Sequence, residues 1–491
     1  MAMGERDTKQ PEMWLSYKEV ASSPGHRFYE KLNALLAERN FDRTVEALCA
    51  PHYAAENGRP SIPPGVYFRM LLIGYFEGIE SERGIAWRCA DSLSLRTFLG
   101  LLPSESSPDH SSLSRIRQRL PLALYSEVFR LVLGVVESKG LLKGKQAGVD
   151  STYLRADASM RAIVRRDTGA SYQEFLKGLA QAEGLAEPTA EDCRRLDQKR
   201  KGRTTSNKDW QSKTDADARI RKLKDGRTRL SYKPEHVVDL ETGAILAAEV
   251  HHADIADTAS ITASLEAARA NINAVVERVE QESAKDDDDD APPTASAGPS
   301  ALGADAVEVV ADKGYHKAQT LRDLNDRGFR TYIPERKQKG HRRWTDKGGT
   351  PTSRAFHANR ARVKRPKSKA LHRKRGELLE RTFAHICETG AHRRTRLRGI
   401  DNMRKRYVLQ CAAANLGLVM RTLFGSGTPR ELANRAREAA QRCFAAFFTL
   451  PLVMANITRH CLRNAAAKIG FLARPAWTPI RVTTTAFSTG C

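Results

Sequence analysis

Two aspartates each close a short β-branched run: Asp150 in GVDST and Asp312 in VVADKGY. A carboxylate at a strand edge is held by rigid backbone, the condition needed to fix a metal ion against a reacting group. Taken singly, each also reads as a turn or cap residue. A β-hairpin and a long helix lie between them, so the pair predicts a sheet whose first and fourth strands lie side by side. Two carboxylates would then converge. A third lies in LHRKRGELLERTFAHICETG, where Leu379, Phe383 and Ile386 mark a sheet-facing stripe and place Glu380 beside it. Glu377 sits one turn earlier, Glu388 two turns later, and pairing with Arg375 or Arg381 is the alternative role for such a helix carboxylate. Three hard oxygen donors without a soft Cys/His cluster favour Mg2+ or Mn2+. Two such ions about 3.5–4 Å apart suit in-line displacement at phosphorus. Tyr153 and Tyr315 lack the Arg-His-Arg surroundings that a tyrosine nucleophile on DNA would need, and the aspartates at 286–290 read as a solvated loop.

The elements that must position these groups are legible in the pattern. Helices are predicted at 26–49, 64–78, 82–100, 110–119 and 121–138, and within 82–100 two short helices could form a helix-turn-helix. This gives an all-α segment over 1–140 for DNA contact or dimerisation. KQAGVDSTYLRAD is a first strand, RLSYKPEHVVD and AILAAEVHHA form a hairpin, AVEVVAD and FRTYIPE are later strands, and 317–328 is a helix. Ile261, Leu265, Ala268, Ile272, Val275 and Val279 recur at helical steps and should cover one face of the sheet. The fold class expected is α/β: a mixed sheet flanked by helices over 145–425, with a polar insertion at 158–226 and a low-complexity linker at 283–304. RKRYVLQCAAANLGLVMRTLF is an apolar helix, and 426–491 is a helical extension with a frayed tail.

Charge points to the partner. The 491 residues carry a net +23, and residues 331–410 alone hold 24 Lys and Arg against 6 Asp and Glu. Such a field favours a polyanion, with double-stranded DNA first. Eight scattered cysteines without a C-x-x-C pair fit neither a zinc module nor a secreted disulfide framework. The longest apolar stretch, 443–457, is broken by Pro451, so a cytoplasmic, nucleoid-associated protein with no membrane partner is expected.

Residues 15–425 resemble bacterial insertion-sequence transposases with a DDE triad, in particular the IS-five-like group with an InsH-like N-terminal domain. The resemblance rests on GVDST, on VVADKGYHKAQTLRDL, on HRKRGELLERTF through RLRGIDNMRKRYVLQCAAANLGLV, and on RPSIPPGVYFRMLLIGYFEGIESERGIAWRCADSLSLRTFLGL. It implies an RNase H-like catalytic domain with Asp150, Asp312 and Glu380 as the metal-binding triad and the use of two ions of Mg2+ or Mn2+. It also implies a Y-R-E-K-type signature, in which His372 takes the aromatic position and Arg375 the arginine, while Cys387 stands where the lysine belongs. Arg393 and Arg394 are the neighbouring cations able to take over its DNA contact. Lys313 and Tyr315 read either as phosphate contacts or as turn residues. The implied activity is binding of terminal inverted repeats, cleavage and strand transfer by a homodimer on DNA. The alternatives are a non-catalytic DNA-binding derivative and a metal-dependent nuclease without strand transfer.

Overall fold

A computed structural model describes residues 26–54, 61–102, 105–201, 205–223, 225–286, 307–337 and 350–470. Most of the linker expected at 283–304, and the tail beyond 470, lie outside the described residues.

Among the described residues, seven α-helices come first: α1 (Arg27–Glu38), α2 (Phe41–Cys49), α3 (Pro64–Phe76), α4 (Glu82–Asp91), α5 (Leu93–Phe98), α6 (His110–Arg119) and α7 (Leu122–Ser138). The helix expected over 26–49 is two, because Asn40 adopts a left-handed φ of 46°, which a continuous helix does not accommodate. Ser81, Ser92 and Asp109 cap α4, α5 and α6 by accepting from first-turn N–H groups. Helix α3 is buried on nearly every side, Tyr67 to Phe76 included, so it is the core of this segment rather than an amphipathic cover.

The strands are β1 (Gln146–Ser151), β2 (Leu154–Arg155), β3 (Ile163–Arg165), β4 (Trp210–Ser212), β5 (Arg219–Lys222), β6 (Thr228–Asp239), β7 (Ile245–His252), β8 (Glu308–Ala311) and β9 (Arg330–Tyr332). Between them run α8 (Tyr172–Ala182), α9 (Ala190–Lys199), α10 (Asp257–Asp286) and α11 (Ala318–Asp326). They are followed by α12 (Pro351–Val363), α13 (Pro366–Ala384), which continues into a π turn at His385–Thr389, and α14 (Ile400–Phe424). The long β6 is the hub of a mixed α/β sheet. It pairs antiparallel with β7 and β5 along one edge and with β1 and β2 along the other, and β1, β8 and β9 continue the sheet in parallel. The polar insertion holds α8 and α9, as expected, plus the β3–β4 ribbon, whose Trp210 packs edge-on to Phe175.

Helix α10 lies on one face and buries Ile261, Leu265, Ala268, Ile272 and Val275, the stripe read from the sequence. On the other face α13 crosses the sheet. Lys367 pairs with Glu308 at the start of β8, Leu371 packs with Leu240, Val310 and Tyr332, and Phe383 stacks on His236 of β6. Gly148 permits this crossing: a Cβ there would meet Leu240 at 2.6 Å and Leu379 at 3.1 Å. Helix α14 is buried between α3, α7 and β7. Asn415 bonds both the N–H and the C=O of Ile245, and Arg404 donates to the Val250 carbonyl, so the outer edge of β7 is closed to further strand pairing. Residues up to Pro429 thus form one compact unit in which the N-terminal helices share α14 with the sheet.

The second unit is α15 (Pro429–Gly470), which exposes Phe444, Met454, Ile457 and Leu462. Among the described residues, one stretch within 400–445 has the length and apolarity of a membrane span, and 56% of it is buried inside the protein.

Candidate active site

Parallel pairing of β1 with β8 runs from Gln146 opposite Glu308 to Val149 opposite Ala311. The next residues are Asp150 and Asp312, so the two aspartates stand at neighbouring strand ends, the first-and-fourth adjacency expected from the sequence. Asp312 is exposed, and its Oδ1 accepts from the N–H of Lys313 at 2.7 Å as the chain turns into a short 3-10 helix, Lys313–Tyr315. Asp150 is half-buried and accepts from Ser151 N–H at 2.8 Å.

Helix α13 brings a cation onto this pair. Arg375 donates from Nη1 to the Val149 carbonyl at 3.2 Å and to Asp150 Oδ2 at 3.1 Å. One turn earlier, burial and Arg375 hold the His372 imidazole below its usual pKa, while Asp312 pulls the other way. Glu380 is exposed on the same helix and makes no hydrogen bond or ion pair among the described residues, whereas Glu377 is tied to Arg381 at 2.6 Å. The donor chemistry of Asp150, Asp312 and Glu380 suits a hard divalent cation. The three are not drawn together, however: among the described residues no group of three His, Cys, Asp or Glu side chains is gathered closely enough to hold an ion.

The remaining candidates have separate fates. Lys313 is exposed, and its carbonyl accepts from Arg336. Tyr315 points inward: it is 1% exposed and donates to Glu235 at 2.8 Å, so it is a turn anchor and not a phosphate contact. Arg393 pairs with Glu388 at 2.5 Å and Arg394 with Asp157 at 2.8 Å. Cys387 is half-buried, and burial pushes its thiol pKa up, so that position carries no cation.

Sequence reasoning missed what stands behind the aspartates. Lys233 and Glu235 are fully buried on the α10 face of β6. Lys233 reaches Asp257 at 2.8 Å and Ser260 at 3.1 Å, while Glu235 accepts from Ser264, Ser260 and Tyr315 at 2.5, 2.8 and 2.8 Å. Asp257 also accepts from Ser151, the residue after Asp150, at 3.3 Å. One network therefore holds both strand ends, through Ser151 on β1 and through Tyr315 after β8. Burial raises the Glu235 pKa, against the pull of these donors and Lys233. The signal was present: Lys233 and Glu235 are two apart within a strand, which places two charges on one face.

On the opposite face His236, directly across from Asp150, is clamped between helices. The Thr382 hydroxyl donates to the Leu379 carbonyl, so it accepts from His236 Nδ1–H at 3.2 Å, which leaves Nε2 to accept from Tyr407 at 2.7 Å. Burial lowers this imidazole to a pKa of about 3, keeping it neutral.

Two family comparisons bear on this arrangement. Residues 16–119 match a transposase domain (DUF772), covering α1 to α6, and residues 336–420 match a transposase DDE domain, covering α12, α13 and most of α14. Glu380 and Arg375 lie inside the second match, and Asp150 and Asp312 lie outside it. No curated protein and no solved structure matches the chain. Neither match separates the IS-five-like group from others, but a transposase domain followed by a transposase DDE domain supports an insertion-sequence DDE transposase and implies DNA as the partner.

Proposed function

We propose that the chain binds the terminal inverted repeats of its own element, cleaves DNA there and joins the freed 3′-hydroxyls to target DNA. The observation that carries this reading is the parallel pairing of β1 with β8, which sets Asp150 and Asp312 side by side beneath a basic helix bearing Glu380. The mixed sheet covered by helices supports an RNase H-like catalytic region over 145–425. DDE transposases generally use divalent ions, and Mg2+ or Mn2+ at Asp150, Asp312 and Glu380 would activate the attacking oxygen and stabilise the leaving one. Arg375 orients Asp150, and the Lys313 ammonium, with no ion pair among the described residues, would meet a phosphate beside Asp312. The helices of 1–140 are assigned to end recognition and to pairing of two protomers, since the two ends of an element must meet.

A second reading, DNA binding without cleavage, is favoured by the guanidinium already seated on Asp150 and by Cys387 at the expected lysine position. One experiment separates them: cleavage of duplexes carrying the element's ends, with Mg2+ or Mn2+, by wild type and Asp312→Asn. Cleavage by wild type, lost in the variant and in chelator while binding persists, is the expected result. Binding without cleavage by wild type under either metal overturns the catalytic reading.

A further inference from the structure

Beside the site, β2 and the start of the insertion form a cleft of about 470 Å³ lined by Arg155, Arg161, Arg229, Arg394 and one carboxylate, Asp157. That carboxylate is already neutralised twice, by Arg394 at 2.8 Å and Arg398 at 3.4 Å. Arg155 and Arg161 have no ion pair or side-chain hydrogen bond among the described residues, and Arg229 has only Asp225 at 3.8 Å. The buried Nε of Arg394 has no acceptor. Several donors thus face one concavity with no anion to receive them. Like charges this close repel: burial first, then Arg229 and Arg394, lower the Arg155 pKa. The backbone holds them there regardless, since Arg155 pairs with Ser231 of β6 and its carbonyl accepts from Thr395 N–H at 2.9 Å. The exposed Arg195, by contrast, is paired with Glu191 at 2.8 Å.

We propose that this cleft is a binding site for a backbone phosphate of the DNA on which the chain acts. The inference rests on the DNA-processing reading of the carboxylates and adds a position to it. Along β6, Asp150 stands opposite His236 and Arg155 opposite Ser231, an odd separation of five residues, so the two side chains leave opposite faces of the strand. The cleft would therefore hold the duplex backbone at the β2 edge of the sheet, away from the face that carries Asp150.

The test is DNA binding, which reads the cleft whether or not the aspartates cut. For the full chain, affinity for an end-bearing duplex is measured against salt in wild type, in Arg155→Ala/Arg229→Ala and in the control Arg195→Ala. Each lost phosphate contact lowers the slope of log affinity against log salt by ~0.9, so the double variant is expected to fall by about 1 and the control to stay. Arg155→Lys/Arg229→Lys should recover the slope, which a misfolded protein would not. A methylphosphonate placed singly along each strand should weaken wild-type binding about tenfold at one position and leave the double variant indifferent to that replacement. An unchanged slope, an equal loss in Arg195→Ala, or a methylphosphonate effect that persists in the double variant would overturn the proposal. Slope loss in a protein that never cleaves would retain the cleft and remove the catalytic reading.

Discussion

The two faces of β6 solve one problem with opposite chemistry. On the α10 face Lys233 and Glu235 are ionisable, buried and tied into a hydrogen-bonded network with Asp257, Ser260, Ser264 and Tyr315. On the α13 face Tyr232 and His236 are aromatic, and His236 is kept neutral and sandwiched between Phe383 and Tyr407. Asp150, proposed as a metal ligand, projects on the neutral side, where Arg375 counters it. The difference teaches that the charged network is a buttress: it holds the residues after Asp150 and Asp312 from the face opposite the one on which Arg375 meets Asp150.

Removing one partner of the buried network should give the largest effect. Glu235→Ala leaves Lys233 buried with one carboxylate fewer, and a loss of ~3–5 kcal/mol in urea unfolding is expected. Leu379→Ala on the neutral face empties the contact over Gly148 and should cost ~2–4 kcal/mol by the same measurement. Tyr407→Phe removes one hydrogen bond and strands His236 Nε2, for which ~1–2 kcal/mol is expected.

The faces also part in their response to acid. The His236 pKa is depressed in the folded state to about 3, below the unfolded value of ~6.5. The unfolded chain therefore takes the proton first. This contribution to stability is whole above about pH 6.5 and is lost as the pH falls from there towards 3. His236→Gln should flatten the slope of unfolding free energy between pH 6 and 4 by up to one proton, an effect that proton uptake or denaturation curves will show. The smallest change is expected from Glu377→Gln, since the exposed pair with Arg381 is worth only ~0.3–0.5 kcal/mol.

Periodicity made much of this legible. The helices near 64–78, 110–119 and 121–138, the α10 stripe and the β6–β7 hairpin all follow from apolar spacing that the tertiary structure leaves unopposed. The adjacency of Asp150 and Asp312 followed from two short runs separated by a hairpin and a helix. What escaped depends on partners distant in sequence. Nothing local to Lys233 or Glu235 announces Asp257 or Tyr315 as its partner. Tyr315 beside Asp312 looked exposed because a turn residue usually is, yet Glu235, 80 positions away, draws it inward. Arg394 stood out only as a cation near Cys387, and its pairing with Asp157 across the fold was invisible locally.

The most direct measurement of the central claim compares single-turnover cleavage of an end-bearing duplex by Glu380→Gln and Glu377→Gln at saturating Mg2+. Loss of more than ~100-fold in the first, about 2.7 kcal/mol of barrier, with the second close to wild type and both binding DNA normally, is the predicted result. Full cleavage by Glu380→Gln would contradict the assignment of α13's exposed Glu380 to the site beside Asp150 and Asp312.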